Sequence, residues 1–350
     1  MELLVNIEKK LRNFTLRADF AVRDEVFALL GASGCGKSMT LKCIAGLEQP
    51  DRGRIVLDGR VLFDSEQGIN LPPQQRQVGY LFQNFALFPN MTIAENIRFV
   101  AKGSRAERER RVRENLARFD LTELGEAYPA ELSGGQQQRA ALARILAAEA
   151  KILLLDEPFS SLDHYLKWKL ELELREVLKA YGGAAMFVSH DRGEVYRLAD
   201  RAAVIDRGQM QPVRTRDELF QNPETLAATL LTGCKNVSKA HKLADNLVEA
   251  EDWQLPLHTA AAVSPNLSYV GLRAHFFAYR EEGEDPEKNI FRMEVTDVIE
   301  DTFSYLIMVR RAGTNARRIR WELPKEEWRR IAAAELSLYF PPEKIILMDS

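Results

Sequence analysis

The chain has few of the features that mark disulfide-rich, membrane-spanning or strongly basic proteins. Its 350 residues include three cysteines, Cys35, Cys43 and Cys234. Their odd number and their spacing predict a reducing compartment without structural disulfides or zinc. No apolar run approaches the roughly 20 residues that span a bilayer, and Met1 to Asn6 do not resemble a signal peptide. The net charge of −3 gives no support for nucleic-acid binding.

What the chain does contain is enough apolar sequence for two packed domains. Hydrophobic residues make up 46% of the sequence, which is normal for a globular protein, and 350 residues exceed one ordinary domain. Over residues 1–235, apolar runs alternate with amphipathic stretches, which predicts an α/β domain. Over residues 236–350, β-rich segments between glycine and proline turns predict a second, all-β domain, which we expect to be a small barrel.

A glycine-rich segment carries the first chemical signal. Residues 31–38 read GASGCGKS and fit the pattern G-x-x-x-x-G-K-[ST] between a predicted strand and a predicted helix. The N–H groups of such a loop bind phosphate oxygens, and the following helix N-terminus adds positive charge. Lys37 is expected to reach the β- and γ-phosphates, and Ser38 to bind Mg²⁺. The residues predicted to surround the phosphates are Gly31, Ala32, Ser33, Gly34, Cys35, Gly36, Lys37, Ser38 and Met39.

A second signal is an apolar run, Ile152 to Leu155, that ends in Asp156 and Glu157. The run predicts a buried strand, and ligands of α/β sheets bind at the carboxyl ends of strands. Asp156 is expected to support Mg²⁺ through water. Glu157 is placed to polarise an attacking water as a general base.

The segment LSGGQQQR at residues 132–139 is the most specific signal in the chain. Ser133 is placed to cap the helix that follows. Gly134 and Gly135 allow backbone N–H groups to approach a phosphate, and Gln136 completes the segment.

These motifs, in this order, resemble those of ATP-binding-cassette (ABC) ATPases. The resemblance implies a P-loop nucleotide-binding domain that hydrolyses ATP with Mg²⁺, in which two copies of the chain enclose the nucleotide as a homodimer. The residues that carry it are Gly31 to Ser38, Gln83, Leu132 to Arg139, Asp156 and Glu157, Ser161 to Asp163, and His190.

The resemblance also assigns roles to residues outside the phosphate loop. It implies that Gln83 contacts Mg²⁺ and signals to a membrane partner, and that His190 contacts the γ-phosphate beside the base Glu157. The LSGGQ residues Ser133 to Gln136 would cap the γ-phosphate bound by the opposite subunit. Asp163 would end the loop that couples the two sites.

Further resemblances point to an importer. Residues 269–275 and 339–345 resemble the oligomer-binding-type (TOBE-like) regulatory domain of importer ATPases. Residues 61–66, 69–73, 78–83 and 232–236 resemble the molybdate-importer ATPase. The implied partners are two integral membrane permease subunits and an extracytoplasmic substrate-binding protein, with no nucleic acid. The implied location is the cytoplasmic face of the membrane.

Several alternatives stay open at this stage. The cargo could instead be sulfate or thiosulfate, iron(III) or a polyamine, or the protein could be a non-transport ABC ATPase. The C-terminal domain could itself bind an oxyanion. The usual adenine-stacking aromatic is missing, and Phe14, expected in a strand from Phe14 to Phe20, leaves the choice of ATP over GTP open. Residues Phe85 to Met91 fit either membrane-subunit contact or interior packing.

Overall fold

The computed structural model describes residues 1–160, 164–281, 283–331 and 335–349. The chain forms two compact units, Met1–Asp217 and Glu218–Ser350. Within the described ranges, no helix combines the length and the apolar character needed to cross a membrane.

The division differs from the boundary expected between residues 235 and 236, because the segment before it packs with the second unit. This segment includes helix α8 (Leu226–Leu231). Cys234 is fully buried against Met348, and the Arg273 guanidinium donates a 2.8 Å hydrogen bond to the carbonyl of Thr232. The helical periodicity of this segment matches that of the first unit, whereas these contacts join it to the second.

The first unit is built on one mixed sheet. In the described part of the chain its strands are β1 (Leu3–Lys10), β2 (Thr15–Val22), β3 (Val26–Leu30), β4 (Arg52–Leu57), β5 (Arg60–Asp64), β6 (Ile69–Asn70), β7 (Val78–Leu81), β8 (Ile152–Asp156), β9 (Ala184–Ser189), β10 (Arg201–Asp206), β11 (Gln209–Met210) and β12 (Arg214–Thr215). Their order is β6-β5-β4-β1-β2-β11-β10-β3-β9-β8-β7, and β12 pairs with β10.

The helices of the first unit lie between these strands along the chain. They are α1 (Lys37–Ala45), α2 (Ile93–Val100), α3 (Arg105–Arg118), α4 (Gly134–Ala147), α5 (His164–Tyr181) and α6 (Arg192–Leu198), while α7 (Arg216–Gln221) spans the division. Helix α2 begins with the capping box formed by Thr92 and Glu95.

The central strands β10, β3, β9, β8 and β7 run parallel. Every residue of β8 and β9 is buried, as expected for strands covered on both faces. Leu30 pairs with Ser189 and Asp156 with Val188. The carboxyl ends of β3, β8 and β9 therefore lie together at one edge of the sheet.

The second unit is β-rich, as predicted. Its described strands are β13 (Asn236–Ala244), β14 (Leu247–Ala250), β15 (Leu255–His258), β16 (Leu267–Leu272), β17 (Ala278–Arg280), β18 (Ile290–Glu300), β19 (Ser304–Arg311), β20 (Ile319–Pro324), β21 (Glu335–Tyr339) and β22 (Ile346–Asp349). Besides α8 it has the short helix α9 (Lys325–Ile331). The described strands form two five-stranded sheets, β15-β14-β13-β16-β22 and β17-β21-β18-β19-β20. One apolar core, which includes Trp253, Phe291 and Trp321, contains residues of both sheets.

One buried arginine fixes the helix that follows the phosphate loop. The side chain of Arg76 is 1% exposed. Its Nη1 donates hydrogen bonds of 2.8 and 2.9 Å to the carbonyls of Cys43 and Ile44 at the end of α1, and its Nε donates to Leu71. A Cβ atom at Gly46 would lie 2.5 Å from that Nε, so only glycine fits there. Arg76 thus supplies a charged donor to the last carbonyls of α1, where helical hydrogen bonding ends.

We expect Arg76→Met to destabilise the first unit by at least about 2 kcal/mol, because buried carbonyls lose their charged donor. Urea unfolding followed by circular dichroism measures the change. Arg60→Met, at an exposed position on β5, is the control and should leave the transition unchanged. Equal unfolding midpoints for the two variants would show that Arg76 does not stabilise α1.

Candidate functional site

The phosphate-loop residues lie between β3 and α1 at the carboxyl edge of the sheet. Gly34 and Gly36 have φ values of 79° and 116°, in the region that favours glycine. A Cβ atom at Gly34 would meet nothing within 4 Å, so the space over the loop is open. The loop therefore offers its backbone to a ligand, as a phosphate cradle must.

Lys37 is held inside this loop. Its side chain is 3% exposed, and its Nζ donates hydrogen bonds of 2.8 and 3.0 Å to the carbonyls of Gly31 and Ala32. The same Nζ lies 3.9 Å from Oε1 of Glu157. A buried ammonium needs such partners to offset its desolvation.

Cys35 fills space beneath the loop. Its side chain is 6% exposed, and a Cβ atom at Gly31 would lie 2.5 Å from its Sγ. Burial raises the pKa of the Cys35 thiol above its ordinary value. The thiol therefore stays protonated and weakly reactive, as expected of a packing residue.

Ser38 and Asp156 come together as the sequence predicted for a metal site. The Ser38 hydroxyl donates a 2.6 Å hydrogen bond to Oδ1 of Asp156, which is 6% exposed. A hydroxyl beside a carboxylate fits the hard oxygen ligands that Mg²⁺ prefers. Tyr80 on β7, which no sequence motif predicts at this site, donates a 2.8 Å hydrogen bond from its hydroxyl to Oδ2 of the same carboxylate. Burial, followed by the charge of Asp156, raises the pKa of Tyr80, so its hydroxyl stays protonated.

Gln83, the third predicted Mg²⁺ ligand, makes no hydrogen bond to Ser38 or Asp156 among the described residues. Its Nε2 donates a 3.2 Å hydrogen bond to the Ser160 hydroxyl, which in turn donates to the main-chain carbonyl of Glu157 at 3.1 Å. Gln83 is exposed. The amide is therefore linked to the acidic strand end through Ser160. Asp163, which we expected to end a coupling loop, lies outside the described residues.

Glu157 follows β8 with a φ of 44°. Its N–H donates to the carbonyl of Val188 on β9, which ties the main chain after β8 to the neighbouring strand. The Oε2 atom lies 3.3 Å from Nδ1 of His190. The structure thus brings Glu157, His190 and Lys37 together, as expected from the motifs.

A charge network holds the start of α6, next to His190. The Lys167 ammonium lies 2.5 Å from Asp191 and 2.6 Å from Glu194, which is 4% exposed. Glu194 also accepts a hydrogen bond from Ser189. Burial opposes the charge on Asp191, but the hydrogen bond and charge of Lys167, together with hydrogen bonds from the N–H groups of Gly193 and Glu194, lower the pKa of Asp191. Helix α5 is thereby fixed to the segment that carries His190.

The signature segment forms a separate structure. Ser133 accepts a hydrogen bond from the N–H of Gln136, whose side chain accepts one from the N–H of Ser133, and this capping box begins α4. Ser133 and Gly134 are exposed, whereas Gly135 is buried. Among the described residues, no hydrogen bond or ion pair joins this segment to the phosphate loop.

The other end of α4 is fixed to the segment after Gln83. Phe85 and Ala86 both have positive φ, at 60° and 46°. Arg144 of α4 donates hydrogen bonds to both carbonyls, at 3.1 and 2.8 Å, and its guanidinium lies 5.4 Å from the ring centre of Phe88. Phe85 is buried and Phe88 is 38% exposed. The segment therefore has one aromatic side chain in interior packing and another that is available for contact with a partner.

Phe14 lies beside the phosphate loop rather than in a strand from Phe14 to Phe20. Strand β2 begins at Thr15. A Cβ atom at Gly208 would lie 2.3 Å from the Phe14 ring, and one at Gly36 would lie 3.7 Å from it. The bend before β2 therefore places an aromatic ring against two glycines, one of them in the loop.

Comparisons with known proteins agree with this geometry. The profile of the ABC transporter family matches residues 17–160. An Fe(3+) ions import ATP-binding protein of Haemophilus influenzae is 38% identical over 267 residues, which cover 75% of this chain and 74% of that protein. A sulfate/thiosulfate import ATP-binding protein of Caulobacter vibrioides is 39% identical over 290 residues, covering 79% and 82%.

A solved structure has the same fold. It is the ATP-binding cassette in a dimeric post-hydrolysis state bound to ADP and Pi, with 27% identity and a TM-score of 0.51. The match covers 62% of this chain and 99% of that one. The fold is therefore the P-loop ABC ATPase fold, followed by β-sheets consistent with a TOBE-like domain. This chain belongs to the ABC transporter family, as an import-type ATP-binding protein that hydrolyses ATP.

Proposed function

We propose that the chain works as a homodimer beneath two integral membrane permease subunits, on the cytoplasmic face of the membrane. Its ATP hydrolysis would drive uptake of an oxyanion, with molybdate as the first candidate, delivered by an extracytoplasmic binding protein. The observation that carries the proposal is the meeting of Lys37, Glu157 and His190 at one sheet edge. The exposed signature lies apart from them.

A split active site explains this separation. One copy would supply Lys37 and Glu157, and the other would supply the capped N-terminus of α4 with Ser133, Gly134, Gly135 and Gln136. A helix N-terminus with free N–H groups binds phosphate. The dimeric solved relative with ADP and Pi supports this arrangement. Hydrolysis would then require the dimer to close.

Within one copy, each residue has a task that fits its position. The loop N–H groups and Lys37 bind the phosphates. Glu157 accepts a proton from the attacking water, and His190 holds the carboxylate and contacts the γ-phosphate. Ser38, Asp156 and Gln83 would hold Mg²⁺, which supplies positive charge to the phosphates. Most of the catalysis is positioning and charge stabilisation.

The exposed aromatic pair near Gln83 is our candidate contact for the membrane subunits. Phe88 and Phe99 are 38% and 63% exposed, and their ring centres lie 5.0 Å apart. Exposed aromatic pairs of this kind are favoured at protein interfaces. Arg144 connects this pair to the signature helix.

We expect Glu157→Gln to retain ATP binding, to lower hydrolysis by at least about 100-fold and to stabilise the closed dimer, because the amide cannot accept the proton. Steady-state ATPase activity and gel filtration with ATP measure both effects. Glu176→Gln, at an exposed position on α5, is the matched control and should keep full activity. Undiminished hydrolysis by Glu157→Gln would remove Glu157 from the base role.

The choice of molybdate rests on the sequence segments described above, because the relatives are named for iron and for sulfate or thiosulfate. In the reconstituted complex with its membrane subunits, we expect molybdate or tungstate with the binding protein to stimulate ATP hydrolysis. Sulfate, iron(III) and polyamines should not. A complex carrying Glu157→Gln serves as the control and should respond to none of them. Stimulation by sulfate, iron(III) or a polyamine alone would reassign the cargo.

A second candidate function is regulation through oxyanion binding by the C-terminal domain, proposed as residues 236–350 together with the segment that packs on it. The supporting observation is a cavity of about 410 Å³ in the second unit. Four of its lining residues are cations: Lys235, Arg317, Arg318 and Arg320. The Nε of Arg320 is buried and, among the described residues, has no hydrogen-bond partner.

Asn236, one of the lining residues of this cavity, is held by two hydrogen bonds to the main chain of Arg320. Asn236, which is 5% exposed, donates a 2.7 Å hydrogen bond to the carbonyl of Arg320 and accepts a 2.8 Å bond from its N–H. Only Arg317 of the four cations has an ion pair among the described residues, with Asp252 at 3.7 Å. Cations without an ion pair that line one cavity favour a multivalent anion.

We expect the full chain, saturated with ADP so that the phosphate loop is filled, to bind molybdate or tungstate in calorimetry. Arg318→Gln combined with Arg320→Gln should weaken binding by at least about ten-fold, because charge-assisted hydrogen bonds are lost. The control combines Lys239→Gln with Arg330→Gln, at exposed positions of the same unit. Absence of binding to the ADP-saturated wild type would end this candidate function.

A further inference from the structure

Asp156 makes a second hydrogen bond that no motif of this chain accounts for. Its Oδ1 accepts from the Ser38 hydroxyl at 2.6 Å, and its Oδ2 accepts from the Tyr80 hydroxyl at 2.8 Å. The two donors come from α1 and β7, on different elements. Both oxygens of one carboxylate are therefore held at once.

We propose that Tyr80 is a positioning residue for the magnesium site, because its hydroxyl fixes the orientation of the Asp156 carboxylate toward Ser38. The inference rests on the proposed Mg²⁺ site and deepens it. Tyr80 would not touch the metal or the nucleotide. It would act through Asp156, as outer hydrogen-bond partners of metal ligands do.

The strand register makes this contact possible. Strand β7 pairs in parallel with β8, and Tyr80 lies opposite Leu154, two residues before Asp156. The long phenol side chain spans that offset, and its hydroxyl meets the carboxylate at the strand end. A shorter side chain at this position would not reach it.

Packing holds the Tyr80 ring in place. The ring is half-buried against the core of the first unit, and its centre lies 4.6 Å from that of Phe82. A hydroxyl on a packed ring is a fixed donor, so it limits rotation of the carboxylate before a ligand binds. Preorganisation of this kind raises affinity by lowering the entropy lost on binding.

The same contact links two predicted metal ligands. Gln83 follows Tyr80 by three residues on the segment that leaves β7. Anchoring Tyr80 to Asp156 therefore fixes the start of the segment that carries Gln83. The phenol would set the position of the carboxylate directly and that of the Gln83 segment through the chain.

The test is Tyr80→Phe, which removes one hydroxyl and keeps the packed ring. The matched control is Tyr181→Phe, since the half-buried Tyr181 hydroxyl donates to the carbonyl of Ala150, away from Asp156. Each full-length variant is titrated with a non-hydrolysable ATP analogue, once with Mg²⁺ and once with EDTA. Mn²⁺ binding to the analogue-saturated chain, followed by electron paramagnetic resonance, gives the metal affinity separately.

For Tyr80→Phe we expect unchanged analogue affinity in EDTA. We expect the ratio of analogue affinity with Mg²⁺ to that with EDTA to fall by at least about ten-fold, and Mn²⁺ affinity to fall by a similar factor. Tyr181→Phe should match the wild type in both, even if its melting temperature falls. A melting curve of Tyr80→Phe confirms that the ring still packs.

Two results would overturn the inference while leaving the proposed function intact. One is a gain in analogue affinity from Mg²⁺ that is the same in Tyr80→Phe as in the wild type. The other is an equal loss of analogue affinity with Mg²⁺ and with EDTA, which would place Tyr80 in general support of the nucleotide pocket. A wild type whose analogue affinity ignores Mg²⁺ would instead remove the proposed metal site, and the inference with it.

Discussion

The parallel register of β3, β9 and β8 is the constraint on which the ATPase unit depends. Leu30 pairs with Ser189, and Asp156 with Val188, so the three strands end at nearly the same level. The phosphate loop follows the end of β3, and His190 follows the end of β9. Asp156 is the last residue of β8, and Glu157 comes directly after it. A one-residue slip would turn Asp156 to the opposite face of the sheet and separate it from Ser38. Complete burial of β8 and β9 fixes this register, because a slip would disrupt packing on both faces.

Opposite charges then hold the residues at those strand ends in place. Lys37 is a nearly fully buried cation, and a buried cation is costly unless charges and carbonyls surround it. Its partners are loop carbonyls and Glu157, which also faces His190. Next to them, Lys167 neutralises the buried Glu194. The site is thus a set of opposite charges drawn from separate elements, which holds those elements together and leaves the open loop for phosphate.

The sequence predicted the parts of this site that depend on local pattern. The phosphate loop and the Ser133 capping box are short-range structures, so their residues appear together in the chain. The contacts of Tyr80 and Phe14 could not be predicted in this way. Tyr80 meets Asp156 only because two distant strands pair in register, and Phe14 reaches the loop because a bend delays β2 by one residue. The division of the chain at Asp217, before the expected boundary, likewise depends on long-range contacts such as that of Arg273 with the carbonyl of Thr232.

Helix α4 connects the signature segment to the exposed aromatic residues that we propose contact the membrane subunits. It has 14 residues, so it is about 21 Å long, and each end has a different attachment. At its N-terminus the capping box presents Ser133 to the site that we propose the partner copy completes. Near its C-terminus Arg144 holds the Phe85 and Ala86 carbonyls and lies against the exposed ring of Phe88. If α4 moves as a rigid body, the proposed closure at its signature end would also displace its aromatic end. One element would therefore join ATP hydrolysis to the membrane subunits.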